Sequence, residues 1–239
     1  RSSSFNQDLS SWDVSSVEIM TSVFARATNF NGDISSWNVS NVESMSNMFL
    51  LATSFNQDLN LWDVGSVENM QAMFREATNF NGDISSWNVS NVDNMREMFY
   101  RLSSFNSNIS GWNVASLTTM EQMFRDATSF NQDISTWNVS NVTRMNSTFR
   151  GATSFNQDIS TWDFTSVVTM GNFMSDKSDA NYNADYLSNL FIKLDQDLVF
   201  GNIIDINLDF GTIKYDSTGV TAYNSLISKG FIIQSGGQV

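Results

Sequence analysis

Apolar residues return along this chain on a fixed beat. Phe stands at 5, 30, 55, 80, 105, 130 and 155, and Trp at 12, 37, 62, 87, 112, 137 and 162, every 25 residues without insertion or deletion. A pattern of this kind marks an array of units, none of which can bury its apolar face alone. Inside each unit the apolar period changes. Trp12 and Val14 alternate with Ser11, Asp13 and Ser15, which predicts a short strand with one face buried. Val17, Met20, Phe24 and Ala27 then fall at i, i+3, i+7 and i+10, which predicts a helix of about two to three turns. Ser16, or Asn41, Asn91 and Asn141 in its register, precedes that stripe as an N-cap, with Glu18, Glu43, Glu68 and Asp93 in the first turn. The expected fold class is α/β: a solenoid of seven 25-residue strand-plus-short-helix coils, the strands forming a curved parallel sheet on the concave side and the helices lying outside.

The pattern stops near residue 176, so the expected division is a seven-repeat unit over 1–175 and a C-terminal α/β capping segment over 176–239. All four lysines, at 177, 193, 214 and 229, lie beyond that boundary. In the tail, periodicity predicts helices around 182–194 and 220–228, a strand over 203–210 with Ile204, Ile206, Leu208 and Phe210 alternating, and a strand over 231–234. Arg1-Ser2-Ser3-Ser4-Phe5 aligns with Arg101-Leu102-Ser103-Ser104-Phe105, so the chain starts in register and is expected to be a fragment of a longer protein.

The unit F-N-x-D-[IL]-S-x-W-[DN]-V-S-x-V-x-x-M-x-x-M-F-x-x-A-T resembles the 25-residue repeat of BspA-like leucine-rich-repeat surface proteins over about residues 1–175. Gly211-Thr212-Ile213-Lys214-Tyr215 and Gly230-Phe231-Ile232-Ile233-Gln234-Ser235-Gly236-Gly237 resemble, more loosely, the terminal segment of such proteins in the Bacteroidetes group. The resemblance implies a leucine-rich-repeat solenoid at a cell surface or outside the cell, engaged in adhesion to proteins or other cells. It carries no catalytic residues.

Composition narrows the chemistry. With 25 acidic against 12 basic residues and a net charge of −13, the chain is repelled by phosphate backbones, so nucleic acid is not an expected partner. Without cysteine or histidine it lacks disulfides, thiolate ligands, imidazole ligands and the commonest general base. No cofactor, metal or catalytic residue is expected, and no run is apolar enough to insert in a membrane. The Trp series is read as core, each indole N–H bonded to a backbone carbonyl. The twelve methionines are read as adaptable core filler, and the Asn6 series as a ladder between neighbouring repeats. The Asp8 series forms an acidic row held either by loop N–H donors, the preferred reading, or by bridging cations such as Ca²⁺.

The expected binding residues are those that strand alternation would leave facing water on the concave sheet: Asp13, Asn38, Asp63, Asn88, Asn113, Asn138 and Asp163. The flanking hydroxyls and the absence of Lys and Arg there suit many weak polar contacts with a protein or glycan of a host or neighbouring cell. The alternative is a passive stalk that displays other domains. Self-association is expected through the uncovered apolar face of the first repeat.

Overall fold

The computed structural model describes residues 3–199, 202–203 and 207–239. Over residues 3–183 the backbone forms neither helix nor paired strand, which overturns the expected coils. The helices and strands of the described residues are α1 (Ala184–Asp197), β1 (Asn207–Asp209), β2 (Lys214–Tyr215), α2 (Val220–Ser228), β3 (Ile232–Gln234) and β4 (Gly237–Gln238). The strands make two two-stranded parallel sheets, β1 with β3 and β2 with β4. Among the described residues there is no leucine-rich-repeat solenoid of seven strand-plus-helix coils and no long curved parallel sheet.

Local chemistry explains both corrections. Where a strand was expected, Asp or Asn followed two residues later by Ser or another small residue closes a tight turn: the Asp8 carboxylate accepts from the Ser10 amide and that of Asp13 from the Ser15 amide. Trp12 N–H then bonds Leu9 O at 3.0 Å and Val17 N–H bonds Val14 O at 2.9 Å, so Trp12 and Val14 sit between turns. Where a helix was expected, two residues per repeat have left-handed backbone. One series is Ser22, Asn47, Ala72, Glu97, Gln122, Ser147 and Asn172; the other runs from Arg26 (φ 66°) through Leu51, Glu76, Arg101, Asp126 and Gly151 to Asp176. A right-handed helix cannot pass through either.

The amides freed from a helix ladder bond to the next repeat instead. Met20, Ser22, Phe24 and Arg26 N–H donate to the carbonyls of Ser44, Ser46, Met48 and Leu50 at 2.6–3.0 Å, while Ala25 and Ala27 close turns onto Ser22 and Phe24. One residue per repeat makes an isolated parallel bridge to its equivalent in each neighbouring repeat, in the sequence Ile19, Ser44, Asn69, Asn94, Thr119, Arg144, Thr169. Backbone pairing in the array is thus one bridge deep and continued by alternate amides.

Side chains fill the space between. Phe24 stacks on Phe30 at 4.0 Å and on Phe49 of the next repeat at 5.4 Å, and the same contacts recur along the array. Trp62, Trp87, Trp112 and Trp137 stack with centroids 6.2–6.5 Å apart. Each indole from Trp37 to Trp162 donates to a carbonyl 28 residues earlier, as Trp87 does to Leu59 O at 2.8 Å, in keeping with the expected core role. Met20, Met45, Met70, Met95, Met120, Met145 and Met170 are all buried.

The C-terminal segment continues the backbone ladder. Met174 N–H bonds Asp209 O and Phe210 N–H bonds Gln234 O. α1 overlaps the predicted 182–194 helix but begins at Ala184 and runs on to Asp197, with Asn183 as N-cap and Leu187, Leu190, Phe191 and Leu194 buried. α2 and β3 coincide with the predicted 220–228 and 231–234 elements. Of the predicted 203–210 strand, Ile204 and Ile206 lie outside the described residues, and β1 occupies 207–209.

Candidate interaction face

A repeated turn puts the seven expected binding residues at the surface. Asp13, Asn38, Asp63, Asn88, Asn113 and Asn138 are exposed and Asp163 is partly so. They do not lie on a sheet, and they are not free of partners. Each side-chain oxygen accepts from the amide two residues on: Ser15, Ser40, Gly65, Ser90, Ala115, Ser140 and Thr165 in turn, at 3.0–3.3 Å. In each side chain Oδ1 is thereby committed to its own turn, which leaves the second carboxylate oxygen of each Asp and the amide nitrogen of each Asn outside that bond. The Ser15 hydroxyl and amide hold the Asp13 carboxyl below its ordinary value, and the Thr165 hydroxyl and amide do the same for Asp163.

Neighbouring turns are tied across repeats. Asn41, Asn91 and Asn141 side chains donate to the carbonyls of Ser15, Gly65 and Ala115, and the Ser66 and Ser116 hydroxyls donate to Ser40 O and Ser90 O. Residues read from the sequence as helix caps therefore brace turn to turn, so the tips form a fixed grid.

The Asp8 row lies one turn earlier. Asp8, Asp33, Asp83, Asp133 and Asp158 each accept from the amide of the Ser two residues on, as Asn108 does, and Asp58 accepts from Asp83 N–H. These are the loop donors of the preferred reading. Among the described residues no three carboxylates converge as a metal site would require. The Asn6 ladder is also present: Asn31, Asn56, Asn81, Asn106, Asn131 and Asn156 N–H each donate to the Asn side chain one repeat earlier, and Asn183 N–H closes the series on Asn156.

Two features escaped the sequence reading. Around the buried Tyr100 ring the guanidinium carbons of Arg75, Arg101 and Arg125 lie 4.7, 5.2 and 5.4 Å from its centroid. Carboxylates balance these cations, with Arg75 and Arg96 on Glu97 and Arg101 and Arg125 near Asp126. The signal was available, since Arg75, Tyr100 and Arg125 share one repeat position. The second feature is Lys177, buried at the joint with the C-terminal segment. An apolar recess of about 650 Å³ also opens on the first repeat, lined by Phe5, Leu9, Trp12, Val23, Phe24 and Trp37.

Over residues 1–101 and again over 73–187, the chain matches the family described as Mycoplasma protein of unknown function, DUF285. It belongs to that family. The two DUF285 matches overlap and together run past the last repeat into α1, so the family's pattern takes in the whole ladder and its seat on Asn183. No curated protein matches the DUF285 chain, and no solved structure does. No helix among its described residues is long and apolar enough to cross a membrane.

Proposed function

We propose that this DUF285 chain is a non-catalytic interaction or adhesion module, displayed at a cell surface or outside the cell, that engages a protein or glycan through the grid of turn tips at Asp13, Asn38, Asp63, Asn88, Asn113, Asn138 and Asp163. The observation that carries the reading is the recurrence of one outward polar group per repeat, each held in place by its own turn amide. Preorganised groups lose little conformational freedom on binding, and a periodic row lets many contacts of about 0.5–1.5 kcal/mol act together. Acids recurring by period are not a unique convergent constellation, which supports a non-catalytic role. The surface location rests on the resemblance to BspA-like proteins. Self-association through the apolar recess of the first repeat belongs to the same reading, and light scattering against concentration tests it.

A screen against cells, proteins and glycans decides the main point. The chain carrying Asp63→Arg and Asn88→Arg should lose binding, while one carrying Arg26→Glu and Arg144→Glu, on the ladder side, should keep it. Loss only in the ladder-side variant would move the site. A passive stalk is the second reading, favoured by the commitment of one oxygen of every tip to its own turn. It is the outcome if the parent chain binds nothing in the screen.

A further inference from the structure

Position 177 breaks a series. Ala27, Ala52, Ala77, Leu102, Ala127 and Ala152 occupy one repeat position, and Lys177 follows them. The Phe30 series ends in the same place, because Ala180 stands where an eighth ring would stack on Phe155. Tyr182 takes up the end of that column at 6.5 Å from Phe155. Lys177 is 2 % exposed, and its Nζ donates to Ala152 O at 2.7 Å and Phe155 O at 2.8 Å. Its own carbonyl accepts from the Thr212 amide at 2.9 Å and the Thr212 hydroxyl at 3.4 Å. Gly211, at φ +66°, lies so close that a Cβ there would stand 2.3 Å from Lys177 O. One residue thus grips the last repeat with its side chain and the C-terminal segment with its backbone.

Partner chemistry at the amine is unusual. The charged groups around it are engaged elsewhere: Asp176 with Arg150 at 2.7 Å, Asp179 with Lys214 at 3.5 Å, and Asp209 with the Gly211 amide at 2.7 Å. On the α1 side it meets the Tyr182 ring, whose hydroxyl donates to Gln157 O and which lies at 76° to the Tyr186 ring. Two carbonyls match the two N–H donors of a neutral amine. The third proton of an ammonium has only the face of the Tyr182 ring, 5.5 Å away, to meet.

We propose that Lys177 makes the joint between the repeats and the C-terminal segment acid-sensitive: the joint is tightest around the neutral amine and loosens when that amine takes up a proton. Burial lowers the Lys177 pKa from 10.5 to about 7. An opened joint returns the amine to water and its ordinary pKa, so between these two values the open state binds more protons. Joint stability therefore rises with pH through that window and is lowest below the folded value.

The four lysines of the chain give a direct test. With lysine labelled at Cε, one of four NMR signals should titrate near the lowered value and vanish from that position in Lys177→Arg. Four ordinary titrations in the folded chain would overturn the proposal. Protection of the Thr212 amide from exchange, corrected for intrinsic rate, should grow about 30-fold from pH 6 to pH 8.5. In Lys177→Met it should stay flat, and equal growth in the two chains would also overturn it. If the Met variant does not fold, the titration of the native chain decides alone.

Discussion

Trp87 serves two repeats at once: its ring lies between Trp62 and Trp112 while its N–H satisfies Leu59 O. Trp87→Ala should cost about 3–5 kcal/mol, since the cavity is bordered by repeats that cannot both collapse and the carbonyl loses its donor. Chemical denaturation with Trp fluorescence would read the loss, and a melt like the parent's would refute it. Glycines give a sharper contrast. A Cβ at Gly82 would stand 2.2 Å from Gln57 O, whereas one at Gly111 would meet nothing within 4 Å. Gly82→Ala should therefore lower stability by at least about 1 kcal/mol, and Gly111→Ala should leave it within about 0.5 kcal/mol. The same denaturation curves decide. At this scale the sequence was legible wherever apolar identity alone set the role, as for Phe, Met and the Trp residues from 37 to 162; Trp12, expected in the core, is 60 % exposed because no earlier repeat covers it among the described residues.

Between repeats the working element is the ladder, and its polar rung is open to test. The Asn106 side chain accepts from Asn131 N–H at 2.9 Å and receives the Gln132 amide as well. Asn106→Ala should leave that backbone donor without its acceptor and cost about 1–2 kcal/mol, whereas Asn106→Asp, which keeps the acceptor, should cost less. Amide exchange at Asn131 would separate this local loss from a global one. Asn6 and its equivalents were readable as a ladder because an amide recurring before a turn has few other uses. The turn-to-turn rungs of Asn41, Asn91 and Asn141 were misread as caps, since an Asn before an apolar stripe looks alike in both settings. The expected helix failed on residues such as Ala72 and Leu51, whose left-handed φ of 52° and 59° contradicts their local preference. Bonds to the neighbouring repeat offset that strain.

Across the whole molecule, charge is set against pH in two opposite ways. Asp33, Asp83 and Asp133 are held below 3.8 by Ser amides and hydroxyls, as are Asp8 and Asp13. Folded values below the unfolded one mean that this stabilisation is complete above the unfolded value and is lost as pH falls through the folded values. Replacing Asp33, Asp83 and Asp133 together by Asn should flatten the fall in urea midpoint between pH 5 and pH 2, because Asn88 already accepts the same bond without titrating. An unchanged acid slope would contradict it.

Register, repeat number, the buried aromatic columns and the break near residue 176 follow from the sequence by itself, because they depend only on which residues are apolar and how often they return. Within the repeats, strand alternation and helix periodicity did not survive. Both assume that each repeat satisfies its backbone locally or in a sheet. Here Asx turns take the tips, and alternate amides of residues 20–26 pair with the neighbouring repeat through left-handed corners. Only the tertiary structure could decide that, since a carbonyl 24 residues away has no signature in local preference. It decided Lys177 for the same reason: a lysine near a boundary looks like a solvated charge until the carbonyls of Ala152 and Phe155 are found at its amine.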